Sequence, residues 1–127
     1  MKGDARLYLE RTRRRFDVIL DDVFVGNRRN IRKPDWLPDP GLALAAGRLR
    51  PGGILVSNAI DEAASVAREM RQLFANTLQI EIEDYDNRVV VGAGFPLSGR
   101  ILRAALTHNP TLATTARHFK IRKSTGH

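Results

Sequence analysis

Two short apolar runs separated by a helix-forming stretch constrain this chain more than any other feature. Phe16-Asp17-Val18-Ile19-Leu20-Asp21 has a β-branched apolar centre closed by acids, which suits a buried strand. Ile54-Leu55-Val56 follows directly on Pro51-Gly52-Gly53, read as a turn in which proline presets one dihedral and glycine tolerates a positive φ at the next. Between them, a helix is expected from about Pro40 to Leu49, carrying Leu42, Leu44, Ala45 and Leu49. Parallel strands require such a crossover, so the two runs are expected to lie side by side in parallel.

The remaining segments extend the same pattern. Asp4 is placed to cap a helix through Arg15, whose cationic end suits the helix dipole. Gly26 to Pro40 is rich in Asn, Arg and Pro and reads as a loop anchored by Trp36 and Leu37. Apolar residues recur at helical spacing from Ile60 to Phe74, with Asn58 or Asp61 available as the cap. Leu78, Ile80 and Ile82 then alternate with Gln79, Glu81 and Glu83, the period of a half-exposed strand. Asp84 to Asn87 turns the chain and Arg88-Val89-Val90-Val91 returns, giving a hairpin that adds an antiparallel edge. A helix from about Leu97 to Leu106 and a polar basic tail complete the sequence. The expectation is one α/β domain over residues 1–127, with a mixed sheet and a C-terminal antiparallel hairpin.

Composition removes several function classes. With no cysteine among 127 residues there is no disulfide framework, thiol nucleophile or zinc-thiolate site. No apolar run approaches the roughly 18–20 residues that span a bilayer, and the first residues do not form a secretory signal, so a cytoplasmic protein is expected. His108, His118 and His127 have no acids at ligand spacing, and no metal site is expected. Ser57 and Ser98 lack the Gly-x-Ser-x-Gly elbow of a hydrolase, while Trp36 and Tyr85 read as loop anchor and turn residue. The formal net charge is +7, with Arg11, Arg13, Arg14 and Arg15 in one cluster and Arg28, Arg29, Arg32 and Lys33 in another. Such clusters suit phosphate-rich partners, although no reader motif or aromatic platform accompanies them and solvated segments explain them equally.

Four segments then fall into one order: Gly3-Asp4-Ala5-Arg6, Phe16-Asp17-Val18-Ile19-Leu20-Asp21-Asp22, Leu49-Arg50-Pro51-Gly52-Gly53-Ile54-Leu55-Val56, and Tyr85-Asp86-Asn87-Arg88-Val89-Val90-Val91. Together they resemble the second half of a spermidine-synthase-like domain, within the class I S-adenosylmethionine-dependent methyltransferase fold. The resemblance covers residues 3–94 and leaves 95–127 as a C-terminal helix and basic tail. It implies a partial Rossmann-like methyltransferase fold. It also implies that Asp4 accepts from the adenine amino group of the cofactor and that the backbone of Ala5 meets the ring; the residue-level alternative for Asp4 is a helix cap. Asp22 takes the position of the base or orienting carboxylate for an attacking amine, with Asp21 as the fallback and a solvated strand end as the alternative for both. Val25 stands where the family carries a further amine-binding acid, which counts against polyamine synthesis, because a buried ammonium needs a counter-charge.

The glycine-rich strand-turn-helix that holds the cofactor's amino acid portion, and the acid for its ribose, have no counterpart in this sequence. Gly92-Ala93-Gly94 is no substitute, since it follows a hairpin strand and leads into Phe95-Pro96. The leading expectation is a spermidine-synthase-like, S-adenosylmethionine-dependent transferase domain, inactive unless the missing half is supplied. Its cofactor would be S-adenosylmethionine or its decarboxylated form. A non-catalytic protein-interaction module is the alternative, and a basic nucleic-acid-binding protein ranks third. A homodimer, or a complex with a second polypeptide, is expected through the Val18–Leu20 edge, which would lack a neighbouring strand.

Overall fold

The computed structural model describes residues 4–27 and 29–124; Gly3, Arg28 and His127, all named above, lie outside the described residues. Asp4 Oδ1 accepts the Arg6 N–H at 2.9 Å and opens α1 (Ala5–Arg11), the side-chain cap that its residue type favours. The helix stops at Arg11 rather than Arg15. Thr12 takes an extended backbone, and its hydroxyl accepts the Arg14 N–H at 3.2 Å, a local bond that competes with the next helical turn.

β1 (Phe16–Asp21) follows as expected and pairs in parallel with β4 (Leu49–Ala59). Between them lie β2 (Val25–Asn27), β3 (Asn30–Arg32) and α2 (Gly41–Ala46). The expected loop from Gly26 to Pro40 thus contains a small antiparallel hairpin. Its three-residue strands are exposed and show no apolar alternation, so the sequence carries no strand signal there. The Pro51-Gly52-Gly53 turn is a second correction. β4 runs straight through it: from Phe16↔Leu49 to Val18↔Ile54, β1 advances two residues while β4 advances five. The extra residues form a bulge, and Gly52, at φ 81, takes the left-handed conformation this needs.

α3 (Ala63–Leu73) buries Val66, Ala67 and Met70 against Leu55, Ala59 and Val90. Neither Asn58 nor Asp61 caps it. Glu62 holds the cap position without a side-chain bond, and Asn58 belongs to β4. The close approach of α3 to the sheet depends on Gly92, where a Cβ would sit 2.5 Å from Phe74 Cδ2 and 2.9 Å from Met70 Cε. Met70 is fully buried in this layer. Met70→Ala is expected to lower stability by about 2–5 kcal/mol through lost burial and the cavity left behind. Urea unfolding followed by circular dichroism checks this, and a loss below about 1 kcal/mol would show that the layer collapses around the gap.

β5 (Asn76–Ile82) and β6 (Arg88–Ala93) form the expected hairpin. It does not end the sheet, whose order is β1-β4-β6-β5-β7. β6 slots in antiparallel beside β4, and β7 (Phe119–Lys123), expected only as a basic tail, pairs antiparallel with β5. Phe119-Lys120-Ile121-Arg122-Lys123 does alternate apolar and basic residues, a strand signal masked by its charge. α4 (Gly99–His108) is capped by Ser98, and a further short helix, α5 (Ala113–Ala116), precedes β7.

Leu9 of α1, Leu42 and Ala45 of α2, and the α3 residues all pack on the sheet face that carries Ile19, Leu55 and Val90. The opposite face has α4 beside Ile121 of β7. At its β1 end that face is open, with Val18 and Leu20 59% and 64% exposed. Among the described residues, β1 pairs only with β4 and has no strand on its outer side. No helix among them is long and apolar enough to cross a membrane.

Candidate functional site

In sheets of this kind ligands gather at the carboxyl ends of parallel strands, which here are the ends of β1 and β4. Successive residues on a strand face opposite ways, so Asp21 and Asp22 have different surroundings. Asp21 turns inward. Its carboxylate lies 3.1 Å from Lys33 Nζ, accepts the Ser57 hydroxyl at 2.7 Å and accepts the Val23 N–H at 3.1 Å. Lys33 is itself buried, donates to the Val23 carbonyl at 3.2 Å and sits 4.3 Å from the centre of the Phe24 ring. The Lys33 backbone N–H donates to Glu62 Oε1 at 2.9 Å. The fallback acid is therefore committed to an internal ion pair, and Lys33 belongs to the interior rather than to a solvated basic cluster.

Asp22 is exposed. Asn58 Nδ2 donates to its Oδ1 at 3.0 Å, and Asn87 Nδ2 donates to Asn58 Oδ1 at 3.1 Å. The Asn58 amide from β4, itself held by Asn87 of the β5–β6 connection, thus fixes one carboxylate oxygen, and Oδ2 has no partner among the described residues. A carboxylate held this way can accept a proton or orient an amine that reaches it from solvent. Val25, three residues on, is exposed in β2 and supplies no second charge.

Asp4 is exposed, with Oδ1 engaged as the α1 cap. Ala5 lines an apolar groove of about 300 Å³ that follows the free edge of β1 past Tyr8, Ile19 and Trp36 as far as Asp21. The groove brings the start of α1 and the end of β1 together, although Asp4 and Asp22 are neighbours of lining residues rather than lining it themselves. Sequence reasoning missed Lys33, Ser57 and Asn58 as partners of the two acids, and Asn87 as the residue that holds Asn58. Only Asn58 carried a signal, as a polar residue closing an apolar run. His118 Nδ1 lies 3.4 Å from Glu83 Oε2, and His108 bonds its own helix at the Ala104 carbonyl. Among the described residues, no three side chains of metal-ligating type gather in one place.

A mixed sheet with a parallel pair, three helices on one face and an antiparallel β5–β6 hairpin extended by β7 makes a Rossmann-like, methyltransferase-like α/β class of fold. Within that class the fold is spermidine-synthase-like. It superposes on a crystal structure described as a probable spermidine synthase from Corynebacterium glutamicum with a TM-score of 0.68, at 19% sequence identity, over 96% of this chain. The chain spans 47% of the length of that protein, which fits its reading as one half of the fold, the C-terminal half. No known family profile matches the sequence, and no curated protein matches it.

Proposed function

We propose that this chain is one half of an S-adenosylmethionine-type transferase, methyltransferase- or aminopropyltransferase-like, that works only when the other half of the fold is supplied. The observation that carries this reading is β1 itself, a strand with Asp22 beyond its carboxyl end and no neighbour on its outer side among the described residues. Asp22, oriented by Asn58, receives the proton of the attacking group or holds an attacking amine in line. The apolar groove beside Ala5 suits the flat face of an adenine ring, and the second carboxylate oxygen of Asp4 suits its amino group. The sulfonium of S-adenosylmethionine, or of its decarboxylated form, supplies the electrophilic carbon when bound. A long diamine would leave its far ammonium facing Val25 rather than an acid, so a polyamine acceptor needs counter-charge from the other half.

The completing half is a second polypeptide or the rest of a longer gene product, paired along Val18–Leu20, and the assembly works in the cytoplasm. The chain alone is expected to bind S-adenosylmethionine more weakly than about 10 μM, roughly 7 kcal/mol, and to show no turnover with putrescine and the decarboxylated cofactor. Calorimetry on the purified chain measures the first and product formation the second. A tighter constant, or turnover abolished in Asp22→Asn, would show that the other half is dispensable. The same open edge also favours a second reading, a non-catalytic interaction module. Cofactor binding that stays absent after a completing partner has been added selects that reading.

A further inference from the structure

Parallel pairing of β1 and β4 gathers two runs of arginine, far apart in sequence, at the end of the sheet opposite Asp22. The Phe16 N–H donates to the Arg48 carbonyl at 2.8 Å, which sets the α1–β1 link beside the α2–β4 link. The Arg15 guanidinium donates to the Gly47 carbonyl. Arg48 reaches back to α1, donating to the Leu9 carbonyl at 2.8 Å and the Glu10 carbonyl at 3.1 Å. Arg50 pairs with Asp17 at 3.3 Å. Arg11, Arg13 and Arg14 are exposed and form no ion pair among the described residues. This end therefore carries six guanidiniums, Arg11, Arg13, Arg14, Arg15, Arg48 and Arg50, and the carboxylates of Glu10 and Asp17. Glu10 is already paired with Arg6 at 2.9 Å.

We propose that this arginine end is a docking site for the phosphate backbone of duplex nucleic acid, separate from the transferase reading and independent of it. All the cations are arginine, whose planar fork matches phosphate oxygens in pairs, whereas lysine offers only a point charge. Arg15 and Arg48 are anchored by backbone carbonyls, Arg50 forms an exposed pair with Asp17, and Arg11, Arg13 and Arg14 are free to close on the ligand. A cleft of about 560 Å³ opens beside Arg15 and Arg50 and leaves room for a backbone to approach. Leu7 on α1 and Val18 on the β1 edge are exposed near this end, but the arginine runs 11–15 and 48–50 themselves carry no exposed large apolar side chain of the kind a membrane surface would need besides charge. No aromatic platform or base-reading helix accompanies the arginines, so binding is independent of sequence. The acids Asp21, Asp22, Asp61 and Glu62 belong to the opposite end of the sheet. That polarity orients the molecule on a polyanion with the Asp22 end facing away.

Fluorescence anisotropy with a labelled 20-base-pair duplex of arbitrary sequence tests the site. Micromolar binding is expected at 50 mM salt, weakening roughly 40- to 150-fold at 200 mM if three or four phosphates are neutralised. The variant Arg11→Gln/Arg13→Gln/Arg14→Gln removes three unpaired surface charges, and circular dichroism checks that it still folds. It should bind at least about 10-fold more weakly and with a shallower salt slope. Arg100→Gln/Lys120→Gln/Lys123→Gln removes equal charge from α4 and β7 and should bind as the parent does. Equal loss in both variants would mean that net charge alone attracts the duplex, and the proposal would be wrong. Undetectable binding at 50 mM salt would also overturn it, as would tighter binding to vesicles containing one-third phosphatidylserine than to the duplex.

Discussion

Asp21→Ala is expected to remove about 3–5 kcal/mol of stability, enough to unfold a marginal domain, because it strands the buried ammonium of Lys33. The Lys33 side chain is fully buried, and Asp21 is its only carboxylate partner among the described ion pairs. The Val23 carbonyl and the Phe24 ring cannot replace a full counter-charge. Lys33→Met should cost less, since Asp21 keeps the Ser57 hydroxyl and the Val23 N–H. The double variant Asp21→Leu/Lys33→Met should recover much of the loss, because a well-packed apolar pair is often as stable as a buried ion pair. Urea unfolding of the parent, both single variants and the double variant gives the coupling directly. Additive effects, or a loss below about 1 kcal/mol for Asp21→Ala, would show that the pair does not hold the β2–β3 hairpin against the sheet. Activity lost in Asp21 variants would on this ground reflect unfolding, whereas loss in Asp22→Asn would bear on chemistry.

Val18→Lys and Leu20→Lys should each weaken association of the chain with its own copies or a completing partner by roughly 100-fold, about 2.7 kcal/mol. Both side chains are largely exposed, so the substitutions leave the packing of Ile19 in place and the domain folded. Sheet edges invite pairing unless charges guard them. The edge at β7 carries Lys120, Arg122 and Lys123, whereas β1 offers Val18, Ile19 and Leu20 along its centre. A lysine placed in an apolar strand interface would bury a charge without a partner. Light scattering over a dilution series reads the effect. A parent chain that is monomeric at every concentration, with the outward amides of β1 protected from hydrogen exchange, would show that the chain covers this edge itself.

The elements with strong local signals were legible: α3 and β5 follow from apolar residues at period 3.6 and 2, and β1 from a continuous apolar run, although it is half-exposed rather than buried. The parallel pairing of β1 with β4 followed from the helical crossover between them. Elements without such a signal were missed or misjudged. β2 and β3 are too short and polar to show alternation, β7 reads as a charged tail, and the Pro-Gly-Gly segment has turn chemistry but serves as a bulge inside a longer strand. At the candidate site, Asp4, Ala5, Asp21 and Asp22 were legible as residues. Their division of labour was not.

By itself the sequence determined the elements with a strong apolar pattern, β1, α3 and the β5–β6 hairpin, because such patterns act over a few neighbouring residues. It also determined the absence of cysteine chemistry, and it carried the order of segments that marks the spermidine-synthase-like fold. Only the tertiary structure decided which charges are used and which are left available. Lys33 and Asp21, twelve residues apart, meet because the β2–β3 hairpin folds back on the strand end. Asn58 reaches Asp22 because β1 and β4 are neighbours in the sheet, and Asn87 steadies Asn58 because β4 and β6 are. Arg15 and Arg48 meet at the other end because β1 and β4 start together. Burial of an ion, and the gathering of like charges, depend on distances set by long-range pairing, and no local window of sequence contains those distances.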